Sequence, residues 1–170
     1  MKKLKRIFGI ILLLILFKSN LALAQVSNRS NNIVLPEMAS GKIKSKTDYI
    51  VVVDTKTQNT YIYKKQNDTW NLIETFVCST GVKGKSTPKG VFTITERGPW
   101  FYSKKYKQGG VYWIRFKGKY LFHSLPMNTK RQIVDYTLGK PSSHGCVRLS
   151  VEDAKWMYEN IPSKTTVYIK

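Results

Sequence analysis

From Asp48 onward, short apolar runs alternate with polar clusters, and the runs are rich in β-branched and aromatic residues. "YIVVV" (49–53), "TYIYK" (60–64), "NLIETFVC" (71–78), "VFTITE" (91–96), "VYWIRF" (111–116), "KYLFHS" (119–124) and the final "TTVYIK" each have strand length and strand composition. The clusters "DTKTQN", "KKQND" and "GVKGKSTPKG" carry turn chemistry, and Lys117-Gly118 makes a tight turn between two of the runs. Seven such strands predict a mainly β domain, a sandwich or barrel-like pair of mixed sheets, with one or two short helices.

Two segments follow a helical period instead. "TKRQIVDYTLG", Thr129 to Gly139, is the weaker, with a glycine stop. "SVEDAKWMYENI" is the stronger. Ser150 and Asp153 have capping-box spacing, Ala154, Met157, Tyr158 and Ile161 share one face, and Pro162 ends the run.

The first part of the chain has another texture. A basic start, "MKKLKR", precedes an apolar run from Ile7 to Phe17, and Ala22-Leu23-Ala24 has the small-x-small form of a cleavage site. The run is short against the roughly 20 residues of a membrane-spanning helix. Residues 1–24 are therefore expected to be a signal peptide cleaved after Ala24, giving an exported protein. Residues 25–47 are polar and rich in Asn, Ser and Lys, and are expected to form a linker or arm. The remainder, 48–170, is expected to form one domain.

Charge narrows the partners. The formal net charge is +19, from 29 basic and 10 acidic residues, and the chain stays strongly basic without its leader. No nucleic-acid-binding motif accompanies this charge. For an exported protein the anionic cell envelope is the expected counter-charge, and the excess raises encounter rates with it.

The two cysteines sit in unlike settings. Cys78 lies in an apolar strand and is expected to be a small buried hydrophobe with a free thiol. Cys146 lies in "GKPSSHGCVRLS", between a glycine and a valine and close to His144 and Arg148. If this segment is extended, His144, Cys146 and Arg148 point one way and Ser143, Gly145 and Val147 the other. Gly145 lets a ligand approach the backbone, amides near Cys146 face an anion, and positive charge lowers the thiol pKa. His123, at a strand end beside a loop, is the second histidine of the chain and a candidate base. Three readings remain open at this level: a cysteine nucleophile, a structural cysteine, and a zinc site, for which two histidines and one cysteine are a thin ligand set.

"SHGCVRL" (143–149), preceded by "FHS" (122–124), resembles the YkuD-type L,D-transpeptidase catalytic domain family, and "STGVKGKSTPKGVFTI" (79–94) is similar to a second segment of that family. The resemblance covers roughly Asp48 to Lys170. It implies a β-rich fold around a cleft and a cysteine acyl-enzyme formed on a peptidoglycan stem peptide, with no metal or organic cofactor. It places Cys146 as nucleophile, His123 as proton donor and acceptor, Ser143 as a support for that histidine, and His144, Gly145 and Cys146 in the oxyanion-hole block. Arg148 falls at a position implying either a substrate carboxylate or an anchored loop. The implied product is a 3→3 cross-link when a stem amine accepts, or a trimmed stem when water does. An inactive wall-binding module and a wall endopeptidase are the competing classes. Sensitivity to carbapenems is also implied. The segment between His123 and Ser143 is slightly longer than in much of the family, which points to a different lid.

Overall fold

The computed structural model describes residues 35–170. The expected signal peptide and the start of the arm lie outside the described residues. Within them no helix is long and apolar enough to cross a membrane.

The strands are β1 (Tyr49–Asp54), β2 (Asn59–Gln66), β3 (Thr69–Val77), β4 (Gly90–Thr93), β5 (Arg97–Ser103), β6 (Gln108–Lys117), β7 (Tyr120–Ser124), β8 (Val147–Leu149) and β9 (Thr166–Ile169). The helices are α1 (Pro36–Ala39) and α2 (Val151–Asn160). One sheet has the order β3-β2-β1-β9-β4 and the other β5-β6-β7-β8. Most neighbours are antiparallel, but β1 and β9 are parallel, as are β7 and β8. This is the mainly β, two-sheet architecture expected from the pattern.

The main core lies where both sheets and α2 meet. Val51, Val53, Ile62, Phe76 and Val167 from the first sheet pack with Ile114, Phe116, Phe122, Val147 and Leu149 from the second, and with Ala154, Met157 and Ile161 of the α2 region. The opposite face of the first sheet is also covered. Ile50, Val52 and Tyr63 pack there against Met38 and Ile43. Burial on both faces explains why β1 reads as an unbroken apolar run rather than an alternation. The expected linker or arm over 25–47 is described from residue 35 onward, where Leu35, Met38 and Ile43 pack on this sheet face and Ser45 and Thr47 bond to Thr166 and Thr165.

α2 forms as its sequence predicts. The Ser150 hydroxyl accepts from the Asp153 amide at 2.9 Å, and buried Ala154 and Met157 mark the inward face. The Arg97 guanidinium donates to the carbonyls of Tyr158 (2.6 Å) and Ile161, so β5 closes the C-terminal end of the helix.

Two expectations fail for identifiable reasons. Residues 129–139 are not a helix. Asn128 Oδ1 accepts from the amides of Lys130 (2.9 Å) and Gln132 (3.1 Å), Asp135 Oδ1 accepts from Thr137 (2.9 Å), and Arg131 has φ +60°. Such local side-chain bonds hold turns in competition with a helix, and Val134 and Tyr136 have no core to face and stay exposed. Strand β5 is not among the expected runs, since Gly98 and Pro99 interrupt its strand pattern. Pro99 is tolerated there since β5 is the edge of its sheet.

Candidate active site

The parallel pair β7 and β8 builds the site. Phe122 is paired with Val147 and His123 with Arg148. Phe122 and Val147 face the core, so alternation turns His123 and Arg148 to the other side. There they line a cleft of about 270 Å³ together with Ser143, His144 and Cys146. The sequence thus named five of the residues that share this cleft, and Gly145 lies in the loop between them.

His123 is 5% exposed. Its Nδ1 lies 2.6 Å from the Ser124 carbonyl oxygen, which can only accept, so Nδ1 carries the proton and Nε2 keeps its lone pair. The edge of the ring meets Phe101, with centroids 5.1 Å apart. A Cβ at Gly110 would stand 2.8 Å from Nδ1, so this glycine makes room for the imidazole. Burial first, and the charge of Arg148 second, lower the His123 pKa to about 4, against the opposing bond to Ser124. The imidazole is neutral at physiological pH.

Residues 143–146 form a turn rather than the expected extended run. The Ser143 hydroxyl donates to the Cys146 carbonyl at 2.6 Å and accepts from the Gly145 amide at 3.0 Å. Gly145 has φ +110°, and any side chain there would run into the Tyr120 ring. Ser143 is thus bonded to its own loop, whereas the His123 Nδ1 bond goes to Ser124. The Gly145 amide is occupied by that serine. The His144 and Cys146 amides find no hydrogen-bond partner among the described residues. The His144 ring stacks on Tyr106, with centroids 4.3 Å apart and planes 18° apart, so it faces a wall of the cleft. Burial, with Lys85, Arg148 and Lys105, lowers the His144 pKa.

Cys146 is a free, half-buried thiol, its Sγ donating weakly to the Lys119 carbonyl at 3.9 Å. Its pKa is raised, which corrects the expectation of an activated thiolate. Burial outweighs the Leu121 amide and the charges of Arg148, Lys119 and Arg115, all of which act in the lowering direction. The cleft therefore holds a neutral thiol and a neutral imidazole.

Arg148 is 3% exposed and is an anchor. Its Nη1 donates to Asp135 Oδ2 at 3.0 Å and to Ser142 Oγ at 3.2 Å, and its backbone exchanges two 2.9 Å bonds with Ser79. The buried Nε has no partner among the described residues. Of the two roles implied for this arginine, loop anchoring is the one its contacts display.

Sequence reasoning missed Phe101, Gly110, Tyr106, Tyr120 and Asp135. Gly109-Gly110 inside an aromatic strand was a usable signal for close approach. The others come from segments that only the fold brings together. Among the described residues no cluster of three or more His, Cys, Asp or Glu side chains converges on a metal position.

A family model described as the L,D-transpeptidase catalytic domain, YkuD, matches residues 48–169. YciB of Bacillus subtilis (strain 168), which carries an L,D-transpeptidase name, is 43% identical over 126 residues, covering 69% of this chain and 63% of that protein. The crystal structure of a fused Zn-dependent amidase/peptidase/peptidoglycan-binding domain-containing protein from Clostridium acetobutylicum ATCC 824 superposes with a TM-score of 0.63 at 32% identity, covering 79% of this chain and 57% of that one. An L,D-transpeptidase (Yku) from Stackebrandtia nassauensis gives 0.58 at 27% identity, over 75% and 58%. The chain spans less than two thirds of the length of each of these relatives. A match that runs from Asp48 to Ile169, over the whole two-sheet domain and its cleft, places this chain in the YkuD L,D-transpeptidase catalytic domain family.

Proposed function

We propose that this chain is a cysteine-dependent L,D-transpeptidase acting on peptidoglycan stem peptides and forming 3→3 cross-links. The observation that carries the reading is a thiol and a neutral imidazole on one cleft, with Nδ1 of the imidazole held by the Ser124 carbonyl and the lone pair of Nε2 left free. A binding module has no use for that arrangement.

The steps follow from the resting protonation states. Cys146 Sγ attacks the carbonyl between an L-centre and a D-centre of a tetrapeptide stem, and its proton passes to His123 Nε2. The backbone amides of His144 and Cys146 donate to the oxyanion. An imidazolium with a pKa of about 4 is a strong acid. It protonates the leaving amine as the C–N bond breaks, and a thioester remains on Cys146. An amine of a second stem then attacks the thioester, gives its proton to Nε2, and the sulfur departs and takes that proton back. One amide replaces another, with no net change in protons or electrons. Water in the second step gives a carboxylate instead, the L,D-carboxypeptidase outcome of the same intermediate.

Residues 1–24 act as an export signal in this reading, and the basic surface holds the domain against an anionic envelope. Incubation of the purified domain with disaccharide-tetrapeptide, read by mass, decides the chemistry. A cross-linked dimer supports the transpeptidase, a tripeptide alone supports the carboxypeptidase, and unchanged substrate refutes both.

A further inference from the structure

The segment from Ser79 to Ile94 has no part in the steps above, yet it splints the loop that carries Cys146. The Thr80 carbonyl accepts from the amides of both Ser142 (2.9 Å) and Ser143 (3.0 Å), and the Val82 amide donates to the Ser143 carbonyl at 3.0 Å. Ser143 in turn holds Gly145 and Cys146 through its hydroxyl. The position of the two free amides therefore depends on where Thr80 sits.

Thr80 is itself gripped from outside the site. Gln58, in the turn between β1 and β2, is 3% exposed, and its carboxamide meets Thr80 at two points. Nε2 donates to Thr80 Oγ1 at 2.8 Å, and Oε1 accepts from the Thr80 amide at 2.8 Å. The remaining Nε2 proton goes to the Thr55 carbonyl at 2.6 Å, and the Gln58 carbonyl accepts from the Cys78 amide at 2.8 Å. Gln58 also has φ +57°, a conformation that glycine or asparagine adopts more easily. A turn alone would favour one of those residues. A buried glutamine held at positive φ, whose carboxamide meets Thr80 with both its oxygen and its nitrogen and spends its remaining proton on its own turn, indicates that the side chain is needed.

We propose that Gln58 is a positioning residue for the oxyanion-binding loop, acting through Thr80 to set the amides of His144 and Cys146. The inference rests on the acyl-transfer reading of that loop. It separates two properties of Cys146: attack on a carbonyl needs the amides in register, whereas simple alkylation of the thiol does not.

The test compares wild type with Gln58→Asn, Thr80→Val and Thr80→Ser. Asparagine suits the backbone at 58 but is one methylene too short, valine removes the hydroxyl at 80, and serine restores it. Each protein is assayed for acylation by a carbapenem, followed by mass, for alkylation of Cys146 by iodoacetamide, and for melting temperature. Gln58→Asn and Thr80→Val are expected to be acylated at least about tenfold more slowly with alkylation within about twofold of wild type, and Thr80→Ser to behave as wild type. Unchanged acylation in both variants, or acylation and alkylation falling together with the folded fraction, overturns the proposal. If Gln58→Asn fails to fold, the Thr80 pair decides. Absence of any acylation of wild type overturns the acyl-transfer reading and this inference with it, whereas acylated wild type with unaffected variants overturns this inference alone.

Discussion

At the scale of single residues, the proposed chemistry rests on Cys146 and His123, two scarce residue types that stand beside a glycine and at a strand end. Their protonation states were not legible. Positive neighbours visible in the sequence argued for a thiolate, but burial decides the sign, and burial is set by which strands meet. Replacing Cys146 by alanine or serine is expected to leave the melting temperature near wild type and abolish thioester formation, since a hydroxyl is a poor substitute at a site built for sulfur. Substantial turnover by Cys146→Ala would refute the mechanism. His123→Ala is expected to slow acylation by about 10²-fold or more, and His144→Ala by less, because in the proposed steps His144 acts through its backbone amide. The acid limb of kcat/KM is expected near pH 4, the pKa of His123, rather than near the 6.5 of a free imidazole. A pH–rate profile with its acid limb at 6.5 would contradict the buried, neutral base. Gly110→Ala places a methyl against Nδ1 and is expected to impair acylation while leaving Cys146 present and alkylatable.

Among the elements, strands flanked by turn clusters and the capped helix were readable from period and composition. Residues 129–139 misled because their apolar spacing is helical while the side chains of Asn128, just before them, and Asp135 hold turns. That segment's role is mechanical. It supplies Asp135, which holds Arg148 under the cleft. Asp135→Ala is expected to leave a buried guanidinium without its counter-charge and to cost about 1–3 kcal/mol, the carboxylate itself being partly exposed. Denaturant titration measures this, and a value near zero would show that water replaces the carboxylate. Met157→Ala, at a fully buried position of α2, is expected to cost about 2–5 kcal/mol through the cavity it leaves.

At the scale of the whole molecule, the docking of 35–47 was not readable, since Met38 and Ile43 only acquire a partner surface once β1 and β2 have paired. Acid stability is also a property of the assembled fold. An unfolded His123 titrates near 6.5 and the buried one near 4, so the unfolded chain binds the proton first. This residue's contribution is complete above pH 6.5 and is lost as the pH falls toward 4, by about 3 kcal/mol. Stability measured by denaturant at pH 7 and pH 4 checks it, and His123→Ala removes that part of the slope. Cys78 is fully buried with its thiol pushed up to about 11, so it is expected to be alkylated only after unfolding, and rapid labelling of native protein at Cys78 would contradict its burial. The raised pKa of Cys146 has a further consequence, for durability. Peroxide oxidises thiolates, and sulfinic acid once formed is not repaired by ordinary thiols. In the proposed mechanism Cys146 stays protonated until a substrate carbonyl and His123 draw off its proton, and so presents little thiolate to oxidants between turnovers. In surroundings without a reducing buffer, that restraint protects an unpaired cysteine at the mouth of a cleft from being spent on the wrong electrophile.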